Sequence, residues 1–316
     1  MIRKEDIDLA HERIRPYIHR TPVLTSSTLN GMAQAELFFK CENFQKIGAF
    51  KIRGGMNAAL SLTEKERERG LATHSSGNHA QAIAYAAREL GVPAYIVMPR
   101  TSPKPKVEAV QGYGASVHFC EPNQQAREDT IAAIVAQTGA AFIHPYDDDR
   151  VITGQATCAK ELLEDIPHLD AVVAPVGGGG LLSGTALSVH FYRPMAKTFA
   201  GEPEGAADAF ASFYLGVLQA APYIDTIADG LLTRLSERTF TIIQQQVSDI
   251  FTVSESEIKA ALKLVYERMK IVVEPSCVVP LAAALKHPEV FAGKRVGIIL
   301  TGGNVDLAQV GTWINH

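Results

Sequence analysis

The chain has 316 residues, of which 47% are hydrophobic and 20% are charged, and its formal net charge at pH 7 is −4. This size and composition are typical of a globular protein with one large or two medium domains. The slight negative charge argues against a nucleic acid or an anionic membrane as a partner, because both bind basic surfaces.

The N-terminus and the cysteines indicate the compartment. The charged residues 1–6 lead into an amphipathic pattern and do not form a signal peptide, and no apolar run reaches membrane-spanning length. The cysteines lack CxxC spacing, which fits reduced thiols better than disulfides or a zinc site; they are Cys41, Cys120, Cys158 and Cys277. The sequence therefore predicts a cytoplasmic protein that does not enter a membrane.

Periodicity and capping residues predict the elements at the start of the chain. The charged residues 63–70 fit a solvated helix end or a linker. In chain order the other predicted elements are a helix over 5–18, an extended segment over 21–24, a short helix capped by Ser26, a strand over 36–41 and a helix from Lys51 to about residue 62.

From residue 71 onwards strands and helices alternate regularly. Such alternation predicts parallel strands covered by helices on both faces. The predicted strands cover residues 71–74, 93–98, 115–119, 140–144, 170–176, 198–200, 250–253 and 295–300. The predicted helices cover residues 78–90, 103–111, 124–138, 154–164, 181–191, 206–218, 255–269 and 276–285.

The alternating segment divides into two parts. Residues 68–144 are compact enough to form a small domain of their own. The predicted fold is therefore α/β, with two doubly wound open-sheet domains. The small domain, 68–144, is inserted into a large domain formed by 1–67 and 145–316.

Lys51 lies where a loop turns into a helix. Gly48 gives this loop flexibility, and Phe50 and Ile52 shield the lysine from water. Desolvation disfavours the ammonium form, so we expect the pKa of Lys51 to be lowered. A neutral amine can form a Schiff base with an aldehyde, although a solvated charge at a helix start is the simpler interpretation.

Four consecutive glycines, Gly177, Gly178, Gly179 and Gly180, follow an apolar strand and open a helix. Their N–H groups can converge on an anion, and the helix N-terminus adds a partial positive charge. A tight turn seldom needs four glycines in a row, which favours a phosphate site. No register fits GxGxxG or GK[ST], so a nicotinamide cofactor or a Walker-type nucleotide is disfavoured.

Two further polar loops follow predicted strands. Ser75, Ser76 and Asn78 lie with several N–H groups at another helix N-terminus, which suits a carboxylate. Metal-ligand spacing and GxSxG are absent, so neither a zinc protease nor a serine hydrolase is indicated, and ordinary capping by Ser76 is the alternative. Thr301 lies at the carboxyl end of the last strand, where open α/β sheets bind ligands.

The order of these motifs resembles that of the fold-type II pyridoxal phosphate enzymes. The motifs are FKIRG at 50–54, SSGNH at 75–79, GGGG at 177–180 and TGGN at 301–304. The resemblance covers nearly the whole chain. Within the family, the chain is most similar to the branch that contains serine/threonine dehydratase, serine racemase and 3-hydroxyaspartate dehydratase. This resemblance implies a fold similar to the β-subunit of tryptophan synthase, a mobile small domain and a homodimer.

The resemblance implies a role for each motif. Lys51, beside Phe50, would bind the cofactor covalently and then take the Cα proton of the substrate, and residues 177–180 would bind the 5′-phosphate. Asn78 would hydrogen-bond the 3′ oxygen of the ring, and Thr301 would face the pyridine nitrogen. A neutral hydroxyl does not hold a proton on that nitrogen, which favours loss of a β-hydroxyl over transamination. The family more often has serine at the position of Thr301.

The residues implied to bind the substrate discriminate between two reactions. They include Ser75, Ser76, Asn78 and His79. Many dehydratases of this fold have Ser-Ala-Gly-Asn, whereas the racemases resemble this chain in having Ser-Ser-Gly-Asn. Ser76 could therefore return a proton to Cα and invert it. Release of pyruvate from L-serine without any D-serine would reject this role.

Other positions concern the substrate and regulation. Arg127 matches a racemase arginine that reaches ligand carboxylates and suits the β-carboxylate of 3-hydroxyaspartate; a surface arginine is the alternative. Thr233 offers a hydroxyl in a loop that resembles the substrate-side loop of the family. Lys270 and Glu274 fall where the racemases bind ATP, which implies a nucleotide effector. The chain ends without the regulatory domain of biosynthetic threonine dehydratases, so no isoleucine feedback is expected.

An acidic loop matches the divalent-cation loop of the same family. The carboxylates of Glu202 and Asp208 and the carbonyl of Ala206, completed by water, suit Mg²⁺ or Ca²⁺. A solvated acidic turn without a metal is the alternative. The resemblance favours a structural or activating cation.

These observations predict a pyridoxal phosphate-dependent ammonia-lyase. It would eliminate water from a small hydroxy amino acid and release a 2-oxo acid and ammonia. Serine and threonine are the first expected substrates and 3-hydroxyaspartate is the second, with serine racemase as the main alternative. A β-replacement synthase and a phosphate-sensing binding protein are further alternatives, and the binding protein would be unaffected by Lys51→Ala.

Overall fold

A computed structural model describes residues 2–102 and 104–314 of the chain. Within these residues the strands form two separate sheets. In chain order the strands are β1 (Val23–Leu24), β2 (Glu36–Cys41), β3 (Leu71–His74), β4 (Ala94–Pro99), β5 (Ser116–Cys120), β6 (Ala141–Phe142), β7 (Ala171–Pro175), β8 (Lys197–Pro203), β9 (Asp249–Val253) and β10 (Arg295–Leu300).

Helices connect most of these strands. The α-helices are α1 (Lys4–Ile14), α2 (Ser27–Ala33), α3 (Lys51–Leu60), α4 (Glu64–Glu68), α5 (Asn78–Leu90), α6 (Lys104–Gly112), α7 (Gln124–Thr138), α8 (Asp149–Asp165), α9 (Gly180–Tyr192), α10 (Asp208–Leu215), α11 (Glu237–Gln246), α12 (Glu255–Leu264), α13 (Pro275–Lys286), α14 (Pro288–Phe291) and α15 (Leu307–Ile314). Short 3₁₀ turns cover Arg15–Tyr17, Glu42–Phe44, Lys46–Gly48, Glu204–Ala206 and Asp229–Leu231, and a π-helical turn, Val265–Met269, extends α12.

The larger sheet has the strand order β1-β2-β10-β7-β8-β9. Strand β1 pairs antiparallel with β2, and the other neighbours are parallel. The smaller sheet is parallel throughout, in the order β5-β4-β3-β6. Its strands lie in the chain between β2 and β7 of the larger sheet, so the predicted α/β fold with two sheets is confirmed. The exact domain limits at 68 and 144 stay predictions.

Strand β7 shows why helices must cover both faces of the larger sheet. All five of its residues are buried. Ala171 and Val173 pack into the core on the side of α12 and α13, whereas Val172 and Ala174 pack into the core on the side of α8 and α9. Because successive side chains of a strand point to opposite faces, an apolar residue at every position requires an apolar layer on each side.

Most predicted elements are confirmed, and the differences have local causes. Helix α8 begins at Asp149 rather than at residue 154, because the side chain of Asp148 accepts a hydrogen bond from the Arg150 N–H and caps the helix. The charged residues 63–70 contain helix α4, which Thr63 and Glu66 stabilise as a capping box. Pro103, the predicted first residue of α6, lies outside the described residues.

Two further differences concern elements near the C-terminus. The predicted helix over 255–269 is α-helical only as far as Leu264, where the π-helical turn begins. Helix α15 was not predicted from the sequence. In the part of the chain that the structure describes, no helix is both long enough and apolar enough to cross a membrane.

Candidate active site

The predicted loops meet in one cavity of about 410 Å³. They follow β2, β3, β7 and β10, whose carboxyl ends form the edge where parallel α/β sheets bind ligands. Every residue predicted to bind the cofactor or the substrate lines this cavity: Phe50, Lys51, Ser75, Ser76, Asn78, His79, Arg127, Gly177, Gly178, Gly179, Gly180, Thr233 and Thr301. The structure thus brings together residues that lie up to 251 positions apart in the sequence (301 − 50).

The loop that carries Lys51 is fastened to the loop after β10. The Phe50 N–H donates to the Thr301 carbonyl at 3.0 Å, and the Gly303 N–H donates to the Gly48 carbonyl at 2.9 Å. Gly48 has a φ of +71°, and a Cβ on it would lie 2.7 Å from Asn304 Oδ1. A glycine is therefore required both by the backbone and by the contact. This geometry places Lys51 as the first residue of α3.

Lys51 is partly buried and makes few polar contacts. Its Nζ donates to the Pro145 carbonyl at 3.0 Å and lies 5.2 Å from the centre of the Phe50 ring. Burial lowers the pKa of Lys51 to about 8, and the negative charge of Glu274 partly opposes this shift. The direction agrees with the expectation from the shielding residues. A substantial fraction of the amine is neutral near pH 8, as an attack on an aldehyde requires.

Three of the four glycines in the loop 177–180 each lack a side chain for a specific reason. A Cβ on Gly178 would lie 2.4 Å from the ring of Tyr146, and a Cβ on Gly180 would lie 2.9 Å from the Cβ of Tyr146. Gly179 has a φ of +84°, and its Cβ would meet Leu235 at 2.7 Å. The loop therefore presents backbone at the N-terminus of α9, where free N–H groups and the helix dipole favour an anion.

Asn78 belongs to a chain of hydrogen bonds inside the cavity. Its Nδ2 donates to both carboxylate oxygens of Glu274, at 3.0 and 3.2 Å, and its Oδ1 accepts from Asn304 Nδ2 at 2.8 Å. Glu274 is 5% exposed, and burial together with the charge of Asp229 raises its pKa to about 7. From the family resemblance, Glu274 was expected to bind a nucleotide effector together with Lys270. Its side chain lies in this cavity, and the nucleotide effector stays a prediction.

Three histidines line the same cavity in their neutral forms. His79 is 2% exposed, its Nε2 lies 3.2 Å from the Ile143 carbonyl, and burial lowers its pKa well below the usual range. His144 accepts the N–H groups of Tyr146 and Asp147 through Nδ1, and burial lowers its pKa to about 4. The pKa of His74 is also lowered by burial. Neutral imidazoles leave the anion-binding role to the backbone and to cationic side chains.

Two cationic side chains reach the cavity from the segment 68–144. Arg127, on α7, lines the cavity, and its buried Nε has no hydrogen-bond partner within the described residues. Lys106, on α6, forms an ion pair with Asp229 of the larger-sheet part of the chain. Arg127 is therefore available to a carboxylate, whereas Lys106 connects the two sides of the cavity mouth.

The predicted metal residues lie outside the cavity. Glu202 is fully buried at the end of β8 and accepts N–H groups from Ala209 and Phe210 at 2.9 and 2.7 Å. Burial, with a contribution from the charge of Asp208, raises its pKa well above the usual range, and burial raises the pKa of Asp208 to about 6. No group of three His, Cys, Asp or Glu side chains suited to a metal occurs between residues 2 and 314, Pro103 excepted. Both oxygens of Glu202 already accept hydrogen bonds, and the divalent cation therefore stays a prediction.

Several residues that line the cavity were not predicted as site residues from the sequence. They are His74, Lys106, Gln124, His144, Tyr146 and Ser276. Tyr146 and His144 could have been predicted from the sequence, because they lie at and just after the end of the predicted strand over 140–144. The other loops of the site also follow strands. Lys106, Gln124 and Ser276 lie within or at the start of helices, where no such rule applies.

A family model described as "Pyridoxal-phosphate dependent enzyme" matches residues 14–302 of the chain. The chain belongs to this family. The predicted family and the predicted cofactor are thereby confirmed. Pyridoxal phosphate also fits the site, since an amine of lowered pKa lies in the same cavity as a glycine loop that leaves no room for a Cβ.

Relatives within the pyridoxal-phosphate dependent enzymes are similar over nearly their full length. A β-hydroxyaspartate dehydratase of Paracoccus denitrificans is 53% identical over 97% of both chains. An L-threo-3-hydroxyaspartate ammonia-lyase of Saccharomyces cerevisiae is 48% identical over 98% of this chain and 95% of the yeast protein. The structure of maize serine racemase has a TM-score of 0.95 and 41% identity, covering 98% of this chain and 96% of that one. The two predicted reaction types, elimination and racemisation, both occur among these relatives.

Proposed function

We propose that this pyridoxal phosphate enzyme is a 3-hydroxyaspartate dehydratase. It would remove water from the amino acid, and hydrolysis of the resulting enamine would give oxaloacetate and ammonia. The observation that carries the proposal is Arg127, a cavity guanidinium whose buried Nε has no partner within the described residues. Guanidinium groups bind carboxylates through paired hydrogen bonds, and serine and threonine have no second carboxylate to offer.

Each of the following cavity residues has a separate role in binding the cofactor or in moving a proton. When bound, pyridoxal phosphate supplies an electron sink for the Cα–H bond of the substrate. Lys51 binds the cofactor and takes the Cα proton, which its lowered pKa permits near neutral pH. The glycine loop, 177–180, holds the phosphate through backbone N–H groups. Asn78, which Glu274 orients, would hydrogen-bond the 3′ oxygen of the ring.

The remaining cavity residues orient the substrate and set the chemistry at the ring nitrogen. Ser75, Ser76 and His79 lie at the N-terminus of α5, where the α-carboxylate would accept hydrogen bonds. Thr301 also lines the cavity, and its hydroxyl would face the ring nitrogen of the cofactor; a neutral hydroxyl would hold no proton there, which would favour prompt loss of the β-hydroxyl. Thr233 lines the cavity and offers the substrate another hydroxyl.

The substrate is tested by comparing kcat/KM for the hydroxyaspartate isomers, L-serine and L-threonine, with release of the 2-oxo acid as the signal. Removing a charge-assisted hydrogen bond costs about 1.5–3 kcal/mol, so Arg127→Met should lower kcat/KM for hydroxyaspartate about 10- to 100-fold. The value for serine should stay within about threefold. Arg100→Met is the control, because Arg100 lies in the same segment with a side chain that is 66% exposed. An equal loss on both substrates would show that Arg127 does not select the β-carboxylate.

Racemisation is the second candidate, and Ser76 favours it. This hydroxyl lines the same cavity as Lys51, and relatives of the chain include serine racemases. Chiral analysis of L-serine incubated with the enzyme should then show D-serine, and Ser76→Ala should abolish D-serine while 2-oxo acid release continues. Pyruvate formation with no D-serine in the parent enzyme excludes racemisation of serine.

We also infer that Glu202, Asp208 and the Ala206 carbonyl bind a divalent cation. Burial raises the pKa of both carboxyls, so their ionised forms are unfavourable without a counter-charge. A cation bound only by the folded state stabilises it. Dialysis against EDTA should lower the Tm by several degrees, and Mg²⁺ or Ca²⁺ should restore it, whereas Glu202→Gln should not respond. An unchanged Tm and activity after EDTA treatment contradict the cation site.

A further inference from the structure

Four charged side chains are buried beside the cavity without lining it. They are Lys40, Glu42, Arg53 and Glu161, and each is at most 2% exposed. We call them the buried quartet. Its two cations and two anions give a formal charge of zero. Taking four charges out of water is expensive, so their presence requires a reason.

Arg53 is the centre of the buried quartet. Its Nε and Nη2 donate to the two oxygens of Glu42 at 2.7 and 2.9 Å, and its Nη1 and Nη2 donate to the two oxygens of Glu161 at 2.9 and 2.8 Å. Nη1 also donates to Thr157 Oγ1 at 3.2 Å. These bonds account for all five N–H groups of the guanidinium. Lys40 Nζ lies 2.8 Å from Glu161 and donates to the Thr21 carbonyl.

The buried quartet closes the loop that carries Lys51. Glu42 directly follows β2, and Arg53 lies in the first turn of α3, so both ends of the loop bind the same cluster. Glu161 anchors that cluster to α8. Between the two ends, Ile47 has a φ of +61°, which a β-branched residue rarely adopts. A loop with such a residue needs fixed ends to keep one shape.

Stability alone does not account for the buried quartet. Replacing buried ion pairs by apolar side chains of similar size is often neutral or stabilising, although removing one partner is strongly destabilising. The quartet is also not the charge that acts on Lys51, since burial and Glu274 are the causes of its shifted pKa. The quartet instead holds Arg53 in one orientation through bidentate ion pairs, and Arg53 lies two residues after Lys51 in the chain.

We infer that Arg53 is a positioning residue, which acts through the buried quartet to aim the Lys51 amine into the cavity. This inference rests on the proposed attachment of the cofactor at Lys51. A displacement of about 1 Å at a reacting group can slow a reaction about 100-fold. Loss of the quartet should therefore slow capture of the cofactor by the apoenzyme even where the fold persists.

The test is the variant Arg53→Met/Glu42→Gln, which removes one cation and one anion and leaves Lys40 paired with Glu161. Apoenzyme is mixed with pyridoxal phosphate, and the rate of covalent capture is followed by absorbance across pH. We expect capture about 100-fold slower and a pH midpoint that moves up from about 8 towards the ordinary lysine value of 10.5. The midpoint rises because an amine that is no longer aimed inward is more exposed to water.

Phe291→Leu is the matched control. Phe291 is fully buried in the larger core, among Phe199 and Phe251, and does not line the cavity. It should lower the Tm without changing the rate or midpoint of capture. If the double variant does not fold, Arg53→Lys replaces it. One ammonium cannot bind two carboxylates in the bidentate way, so capture should still slow at least about tenfold.

The two possible failures are distinguishable. Borohydride reduction followed by peptide mapping identifies the residue that carries the cofactor. Label on another residue rejects the proposed role of Lys51. Label on Lys51, with capture rate and midpoint in the Arg53 variants within twofold of Phe291→Leu, rejects the positioning role of Arg53 and leaves the attachment intact.

Discussion

At the residue scale, Lys51 should lower the stability of the apoenzyme. Because burial lowers its pKa to about 8 from 10.5, the folded chain binds fewer protons than the unfolded chain between these values. Stability contributed by this group therefore rises with pH through that window and is at its lowest below pH 8. Lys51→Met should raise the Tm of the apoenzyme at pH 7 by a few degrees, and the gain should disappear above pH 10.5. Thermal melts of apoenzyme over this pH range measure the effect.

Lys65→Met is the control for this prediction, because Lys65 is exposed on α4 and its charge is solvated. If Lys51→Met raises the Tm equally at every pH, or if Lys65→Met raises it by a similar amount, then the added apolar side chain, and not the loss of the buried amine, causes the increase. The lowered pKa itself was predictable from Phe50 and Ile52 as neighbours. The opposing charge of Glu274 was not, because that residue lies 223 positions away (274 − 51) and approaches only through the fold.

At the scale of the element, the glycine loop and Tyr146 depend on each other. A Cβ at residue 178 would lie 2.4 Å from the Tyr146 ring, so Gly178→Ala should displace the ring or the loop. Overpacking of this kind costs about 1–3 kcal/mol, and both the Tm and the affinity for pyridoxal phosphate should fall. In a Tyr146→Ala background the same substitution should cost less. A double-mutant cycle on the Tm measures this coupling.

Gly31→Ala is the matched control for the glycine loop, because nothing lies within 4 Å of the added Cβ on α2. It should be neutral or slightly stabilising. Equal losses for Gly178→Ala with and without Tyr146 would contradict the contact. The sequence was sufficient to predict an anion site at 177–180, since strand, glycines and helix are adjacent in the chain. The contact with Tyr146 depends on tertiary packing that no local pattern contains.

At the scale of the whole molecule, the alternation of strands and helices predicted both sheets, whereas the contacts between the two parts of the chain were not predictable. Period and turn signals act over a few residues, so the strands over 71–74 and 295–300 could be placed accurately. Arg127 came only from the family resemblance. Lys106 was not predicted to line the site, because a lysine on an exposed helix shows the same sequence pattern whether or not its side chain contacts a distant part of the chain.

The ion pair of Lys106 and Asp229 leads to the last prediction. It joins the segment 68–144 to the larger-sheet part across the cavity mouth, and both side chains line the cavity. Partly exposed pairs contribute only about 0–1 kcal/mol to stability, so Lys106→Met should barely change the Tm. Because it holds the two sides of the cavity together, its loss should raise KM several-fold. Salt screens such pairs, so added NaCl should raise KM in the parent enzyme and much less in the variant.

Asp229→Asn provides the decisive comparison for this ion pair. If the pair acts as a unit, Lys106→Met and Asp229→Asn raise KM by similar factors, and the double variant is no worse than either. If Lys106 instead binds the substrate directly, Asp229→Asn frees it and lowers KM. Lys104→Met serves as the control on the same helix, because the side chain of Lys104 is 86% exposed and pairs with Glu108 in the next turn. A rise in KM for this control would attribute the effect to the net charge of α6.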